Sequence, residues 1–229
     1  MIKQENKISK KISFLLFTIF FFIGILTFKD YGISVDEEFH RSVGFYWLNQ
    51  LLGFTPFEEL KNTAAFKFEN ISGFTLPQAE INSFYGVIFD LPAAFLEVVL
   101  KFNDSKEYFQ LRHLLSFILF FVASIFFYKL LLNRFTNYNI ALIGTLFFVL
   151  SPRIYGHSFF NNKDLVFLSL VTIALFFCFK SLEKITYKNL LIFSLFSAIC
   201  TSSRILGIFL PLSFIIFYAL SFLSNNKNK

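Results

Sequence analysis

The chain has 229 residues, 55% hydrophobic and 21% aromatic, with a mean hydropathy of +0.62 and only 16% charged residues. Soluble domains usually carry about a quarter charged residues, so this composition excludes a soluble globular domain, a disordered chain and a nucleic-acid-binding module. It points to an all-α integral membrane protein, in which the net charge of +6 matters through where Lys and Arg fall rather than through its size. Cys178 and Cys200 both lie inside apolar runs; they read as small buried hydrophobes, not as a disulfide framework or metal ligands.

A spanning helix needs about 20 mostly apolar residues. Residues 1–11 form a basic head with Lys3, Lys7, Lys10 and Lys11, and residues 12–28 form the first span. A signal peptide opens the same way, but no small-x-small cleavage site follows, so an uncleaved anchor is expected. Residues 29–110 make a long segment on the outer face. Within it Phe39, Val43, Trp47 and Leu51 recur every four residues, which predicts an amphipathic helix lying in the interface with Tyr46 and Trp47 at headgroup level. Residues 53–77 mix Gly, Pro, Asn and charge and read as irregular. Residues 81–102 are apolar but carry Asp90, Pro92 and Glu97; two acids in a lipid-facing span are costly, so a second interfacial or re-entrant helix is expected.

Five further spans fit within residues 111–223, near 111–132, 140–150, 165–182, 189–201 and 205–223, before a tail at 224–229. About six spans put both termini on one side, with the N-terminal lysines, Lys129, Arg134, Lys180, Lys184, Lys188, Lys227 and Lys229. That side is cytoplasmic by the positive-inside rule. The other side receives residues 29–110, the loop 151–164 and the turn at Arg204.

Three sets of polar residues meet on that outer side. The first is the run from Asp30 through Ser34, Asp36, Glu37 and Glu38 to His40 and Arg41. Ser34 with Glu37 is a capping box on its face, which accounts for Glu37 but not for four acids where the chain leaves the bilayer. The second set is Arg153, His157, Asn161, Asn162, Lys163 and Asp164. Here Asn161 or Asn162 is placed to cap the fourth span, with Asp164 in its first turn. The third is Arg204; it and Arg112, which opens the second span, need an anionic partner or a route to the interface. Taken together, an acid that can accept a proton beside cations that can stabilise a departing phosphate suits group transfer to a hydroxyl or amine.

The order of these motifs resembles the GT-C polyprenyl-phosphate-sugar glycosyltransferases, such as protein O-mannosyltransferases and aminoarabinose transferases. It runs through a basic-headed span, Val35-Asp36-Glu37, Ser83-Phe84-Tyr85-Gly86, Arg112, Ser151-Pro152-Arg153 with His157-Ser158 and Asn161-Asn162-Lys163-Asp164, then Ser203-Arg204-Ile205-Leu206-Gly207. The resemblance implies Asp36 as catalytic base supported by Glu37, and Asp164 as the second acid. It places Lys163, His157, Arg112, Arg153 and Arg204 near the donor phosphate. It implies inverting transfer from a polyprenyl-phosphate sugar to a lipid, glycan or protein acceptor on the outer face, with no obligatory metal, although some relatives bind a divalent cation. The expected location is a bacterial inner membrane with the site facing the periplasm.

Family members usually continue for several more spans. The chain is therefore expected to correspond to an N-terminal portion, with a separate chain supplying C-terminal spans. The competing readings are a transporter- or flippase-like subunit, a scaffold, or an inactive fragment; a transporter would carry its charges near mid-span, whereas here they stand at span ends.

Overall fold

A computed structural model describes residues 2–71 and 86–227, with side chains from Ile8 to Leu223 except Phe222. The Ser83-Phe84-Tyr85 part of one motif and the start of the 81–102 run lie outside the described residues. Every regular element among the described residues is helical.

The long helices follow the apolar runs. α1 covers Ile2–Thr27 and packs its Phe17, Phe20 and Phe21 rings on Phe117, Phe120, Phe121 and Tyr128 of α5 (Ser105–Phe135). The two helices approach so closely at Gly24 that any side chain there would collide with the Phe117 ring. α5 has 31 residues and rises about 46 Å, more than the hydrocarbon thickness of about 30 Å. Asp104 caps it by accepting from the Lys106 N–H, and it ends where Thr136 turns left-handed at φ 51°. α6 (Tyr138–Val149) is capped by Asn137. After a 61° bend α7 (Pro152–Phe160) begins with Pro152 at its first turn, where a missing N–H costs nothing.

α8 (Asp164–Glu183) carries Val166, Leu170, Ala174 and Cys178 at four-residue spacing. This stripe packs with Phe193 and Cys200 of α9 (Tyr187–Ser203) and Leu210. A short 3-10 turn at Ile205–Ile208 leads into the last helix, Phe209–Lys227. Both cysteines are free and buried, as their apolar setting suggested.

Among the described residues three helices are long and apolar enough to cross a membrane: Ile8–Thr27 within α1, α5 and α8. The bent α6–α7 pair makes a fourth if taken as one span. The six runs expected from sequence are all helical. However, α9 has 17 residues, about 25 Å of rise, and Ile205–Ser221 is likewise short.

The segment between α1 and α5 departs most from expectation. α2 (Val35–Gly53), α3 (Glu58–Glu69) and α4 (Asp90–Val99) enclose a small core of Phe45, Leu48, Leu52, Ala64, Ile71, Ala94 and Val98. Residues expected to be irregular are thus α3, and α4 is too short to span. α2 does not present Phe39, Val43, Trp47 and Leu51 as one buried stripe. Leu51 is exposed, and the buried face instead includes Glu37, His40, Arg41 and Gly44. Protein contacts drive this rotation: Gly44 lies against the Asp90 backbone with no room for a side chain, and the Arg41 guanidinium forks onto Glu97 at 2.7 and 3.0 Å. The two acids that argued against a lipid-facing span are satisfied inside the protein. Glu97 pairs with Arg41 and Lys67, and Asp90 with Arg112 and His40.

Two sets of contacts define the ends of the bundle. At one, Ser9 bonds Asn139 and Tyr128 bonds Ser13, with Lys10 and Lys129 lining a common groove. At the other, His113 reaches the Phe28 carbonyl, Thr27 meets Tyr155, and Tyr31 stacks on Phe159. The candidate site is built on this second end.

Candidate functional site

The start of α2 and the start of α8 meet across a cavity of about 170 Å³ lined by Ser34, Asp36, His40, His157, Phe160, Asn161, Asn162, Lys163 and Asp164. Asp36 and His40 reach it together because residues four apart share a helix face. A second cavity of about 400 Å³ adjoins the first, with His40, Asn162 and Lys163 belonging to both. Its further wall includes Asp90, Ser203, Arg204 and Leu206. Asp36 and Asp164 therefore line the smaller chamber, Arg204 lines the larger together with Asp90, and Lys163 stands in the wall of both.

Local structure explains how each group is held. Asp164 opens α8 and accepts from Arg204 and from Asn161 Nδ2 at 3.2 Å. Arg204 stands where α9 ends and the 3-10 turn begins. Of the two asparagines able to cap α8, Asn161 performs the role: its Oδ1 accepts from the N–H groups of Asp164 at 2.7 Å and Lys163 at 3.3 Å, while its amide donates to His157 Nδ1 at 2.9 Å. Asn162 is buried, and neither side-chain atom has a hydrogen-bond partner among the described residues.

The capping box read from Ser34 and Glu37 does not form. Ser34 donates to the Phe160 carbonyl at 3.4 Å, tying α2 to α7. The Glu37 carboxylate turns inward, 1% exposed, to His113 Nε2 at 3.2 Å. The imidazole from α5 offers the buried carboxyl a hydrogen-bond partner inside the protein, which a capping N–H at the solvated start of α2 would not. Burial pushes the Glu37 carboxyl above its ordinary value even though His113 pulls the other way, and burial does the same to Glu38 against the pull of Arg41.

Among the residues singled out from sequence, Asp36, His157, Lys163 and Asp164 share the smaller cavity, and Lys163 and Arg204 line the larger. Arg112 is fully buried and lines neither. Its Nη1 donates to Asp90 at 3.0 Å, and its Nε and Nη2 are without partners among the described residues. Arg153 is exposed on α7 and lines neither cavity. Sequence reasoning named His40 and Asp90 but gave neither a role in the site, because their partners lie in distant segments. No group of three or more His, Cys, Asp or Glu among the described residues is arranged to hold a metal ion.

Residues 91–229, more than half of the chain, match the profile of the dolichyl-phosphate-mannose-protein mannosyltransferase family. The chain belongs to that family. It is a membrane glycosyltransferase of the GT-C kind. Neither curated proteins nor solved structures yield a match. Within this mannosyltransferase-family chain the matched segment includes Arg112, Arg153, His157, Lys163, Asp164 and Arg204, whereas Asp36 and Glu37 precede it. The two halves of the acid-lined cavity thus come one from inside the family segment and one from outside it.

Proposed function

We propose that this site transfers a sugar, mannose in the first instance, from a polyprenyl phosphate to a hydroxyl or amine of a lipid, glycan or protein acceptor. The observation that carries the reading is that Asp36 and Asp164 line one cavity, Arg204 lines its neighbour, and Lys163 stands between them in the wall of both. The family description, which names a dolichyl-phosphate-mannose donor, supports the choice of donor.

In the proposed step, Asp36 takes the proton from the acceptor O–H, and the freed oxygen attacks the anomeric carbon. The bond from that carbon to the phosphate oxygen breaks on the opposite side, inverting the centre, and its electron pair leaves with the polyprenyl phosphate. Arg204, Lys163 and His157 stabilise the charge that gathers on the phosphate. Asp164 holds Arg204 in place and is the second acid of the site. Glu37 supports Asp36 from the buried side of α2 by locking that turn onto His113. Arg112 acts through Asp90, which faces His40. Arg153 enters as an exposed cation on α7, at the approach of the phosphate. No divalent cation is required in this scheme.

The charges at helix ends fit chemistry at a membrane surface: Asp36 lies in the first turn of α2, Asp164 opens α8 and Arg204 follows α9. In the proposed topology the Lys10 and Lys129 end is cytoplasmic and the site faces the periplasm of a bacterial inner membrane. Release of decaprenyl phosphate from decaprenyl-phosphate mannose by the chain in liposomes, with a hydroxyl acceptor added to take the mannose and any separately encoded C-terminal spans supplied, tests the reading. Release that Asp36→Asn lowers at least a hundredfold supports it; release that Asp36→Asn leaves unchanged rejects Asp36 as base.

A further inference from the structure

Asn162 has no structural task that the fold reveals. Its neighbour Asn161 caps α8, and Asn162 itself is 5% exposed with neither Nδ2 nor Oδ1 hydrogen-bonded among the described residues. Buried carboxamides are nearly always paired, and an exception calls for a cause. Asn162 also lines both cavities, so the residue stands where they join, its amide buried just behind the wall.

Inverting transfer sets the acceptor oxygen, the anomeric carbon and the leaving oxygen in one line. The acceptor belongs with Asp36 and Asp164, and the phosphate with Arg204 and Lys163. The ring that carries the anomeric carbon must then occupy the junction. We propose that Asn162 holds the donor's sugar ring there, its carboxamide donating to one ring hydroxyl and accepting from the same or the adjacent one. The inference rests on the reading of the site as a glycosyl-transfer centre and adds to it the residue that recognises the sugar.

The chemistry of the group selects this ligand over the others present in such a reaction. A carboxamide both donates and accepts, as a hydroxyl does. The donor's ionised phosphodiester only accepts, so it would leave Oδ1 unpaired and facing negative charge. A polyprenyl chain would satisfy neither atom. A site built to hydrogen-bond a substrate hydroxyl rejects analogues that lack it far more strongly than a site that only fits their shape.

Binding of two lipids to the purified full chain in nanodiscs, decaprenyl-phosphate mannose and sugar-free decaprenyl phosphate, separates these roles. Wild type is expected to bind the mannosyl lipid more tightly. Asn162→Ala should weaken the mannosyl lipid at least tenfold and leave decaprenyl phosphate unchanged. Equal weakening of both, or no change in either, overturns the assignment. A wild type that binds decaprenyl phosphate as tightly as its mannosyl form overturns it too, since no sugar contact is then made. A wild type that binds neither lipid rejects the transfer reading itself and the assignment with it. Should Asn162→Ala fail to fold, wild type alone decides: at least one deoxy-mannosyl form of the lipid must bind tenfold more weakly, and equal binding of all of them overturns the assignment.

Discussion

Arg204 and Asp164 are 40 positions apart in sequence and in contact in the fold, joining the end of α9 to the start of α8. Each of the pair lines one of two adjoining cavities, Asp164 with Asp36 in the smaller and Arg204 in the larger. A cation so placed can answer a leaving phosphate on one side while it positions a carboxylate on the other. Removing a preorganised donor of this kind costs about 10²–10³ in turnover. Arg204→Ala should therefore lower kcat for decaprenyl-phosphate mannose by that order, with Arg204→Lys recovering part of it. An unchanged kcat in Arg204→Ala would remove Arg204 from the phosphate site.

The outer helices are locked by charge as well as by apolar packing. Arg41 forks onto Glu97 and lies 3.7 Å over the Tyr108 ring, and Lys67 adds a second cation to the same carboxylate at 3.4 Å. Removing one partner of a buried pair leaves the other charge uncompensated, at a cost of about 3–5 kcal/mol. Glu97→Ala is expected to lose stability on that scale in detergent melting curves, and more than Arg41→Ala, because it strands two cations. A loss below about 1 kcal/mol, the level of a surface pair, would show that the network is solvated.

Glu37 gives stability a pH dependence of definite sign. Its folded value is raised by burial above the ordinary 4.5, so the folded state holds the proton more tightly than the unfolded chain does. The resulting contribution is complete below about pH 4.5 and declines as pH rises through the elevated folded value. Glu37→Gln should remove this decline, so the difference in melting temperature between wild type and variant should shift in favour of the variant from pH 4.5 upward. A constant difference across that window would contradict the raised value.

The long apolar helices were legible because each is a local event, an apolar run with a readable start. Asn137, Asp104 and Thr186 all cap the helices that follow them. α2 and α4 were legible as helices, but α3 and α7 were not, for equally physical reasons. α3 buries only Ala64 and Lys67 of its own residues, so it carries no apolar stripe, and α7 is a short helix rich in polar groups. Ser34 and Glu37 satisfied a local capping rule, yet His113, 76 positions away, took the carboxylate. Arg41 and Glu97 are 56 positions apart, a pairing that no periodicity reports. Asp36 and Asp164 were legible as residue types, while the cavity they share depends on how α2 is seated by those distant pairs.

Metal chemistry is directly testable. In the proposed scheme the cations of the site are the side chains of Arg204 and Lys163, so excess EDTA should leave mannosyl transfer within about twofold of its untreated rate. A loss restored by added Mn²⁺ or Mg²⁺ would assign the phosphate contact to a metal ion.

Topology follows from the two ends of the bundle. Alkaline phosphatase fused after Gly53 and after Asn161 is expected to be active in both cases, which places α2 and the start of α8 on the periplasmic side. Activity in one fusion and not the other would put the two acids on opposite faces of the membrane.

The coupling of Asp36 to Asp164 tests the central claim most directly. Groups that act as a unit are strongly non-additive, so that losing both costs little more than losing one. In a cycle of Asp36→Asn, Asp164→Asn and the double variant, read as kcat for release of decaprenyl phosphate from its mannosyl form, the double is expected to match the worse single within about tenfold. Losses that multiply in full, or single variants that turn over at the wild-type rate, would show that the two carboxylates do not serve one reaction.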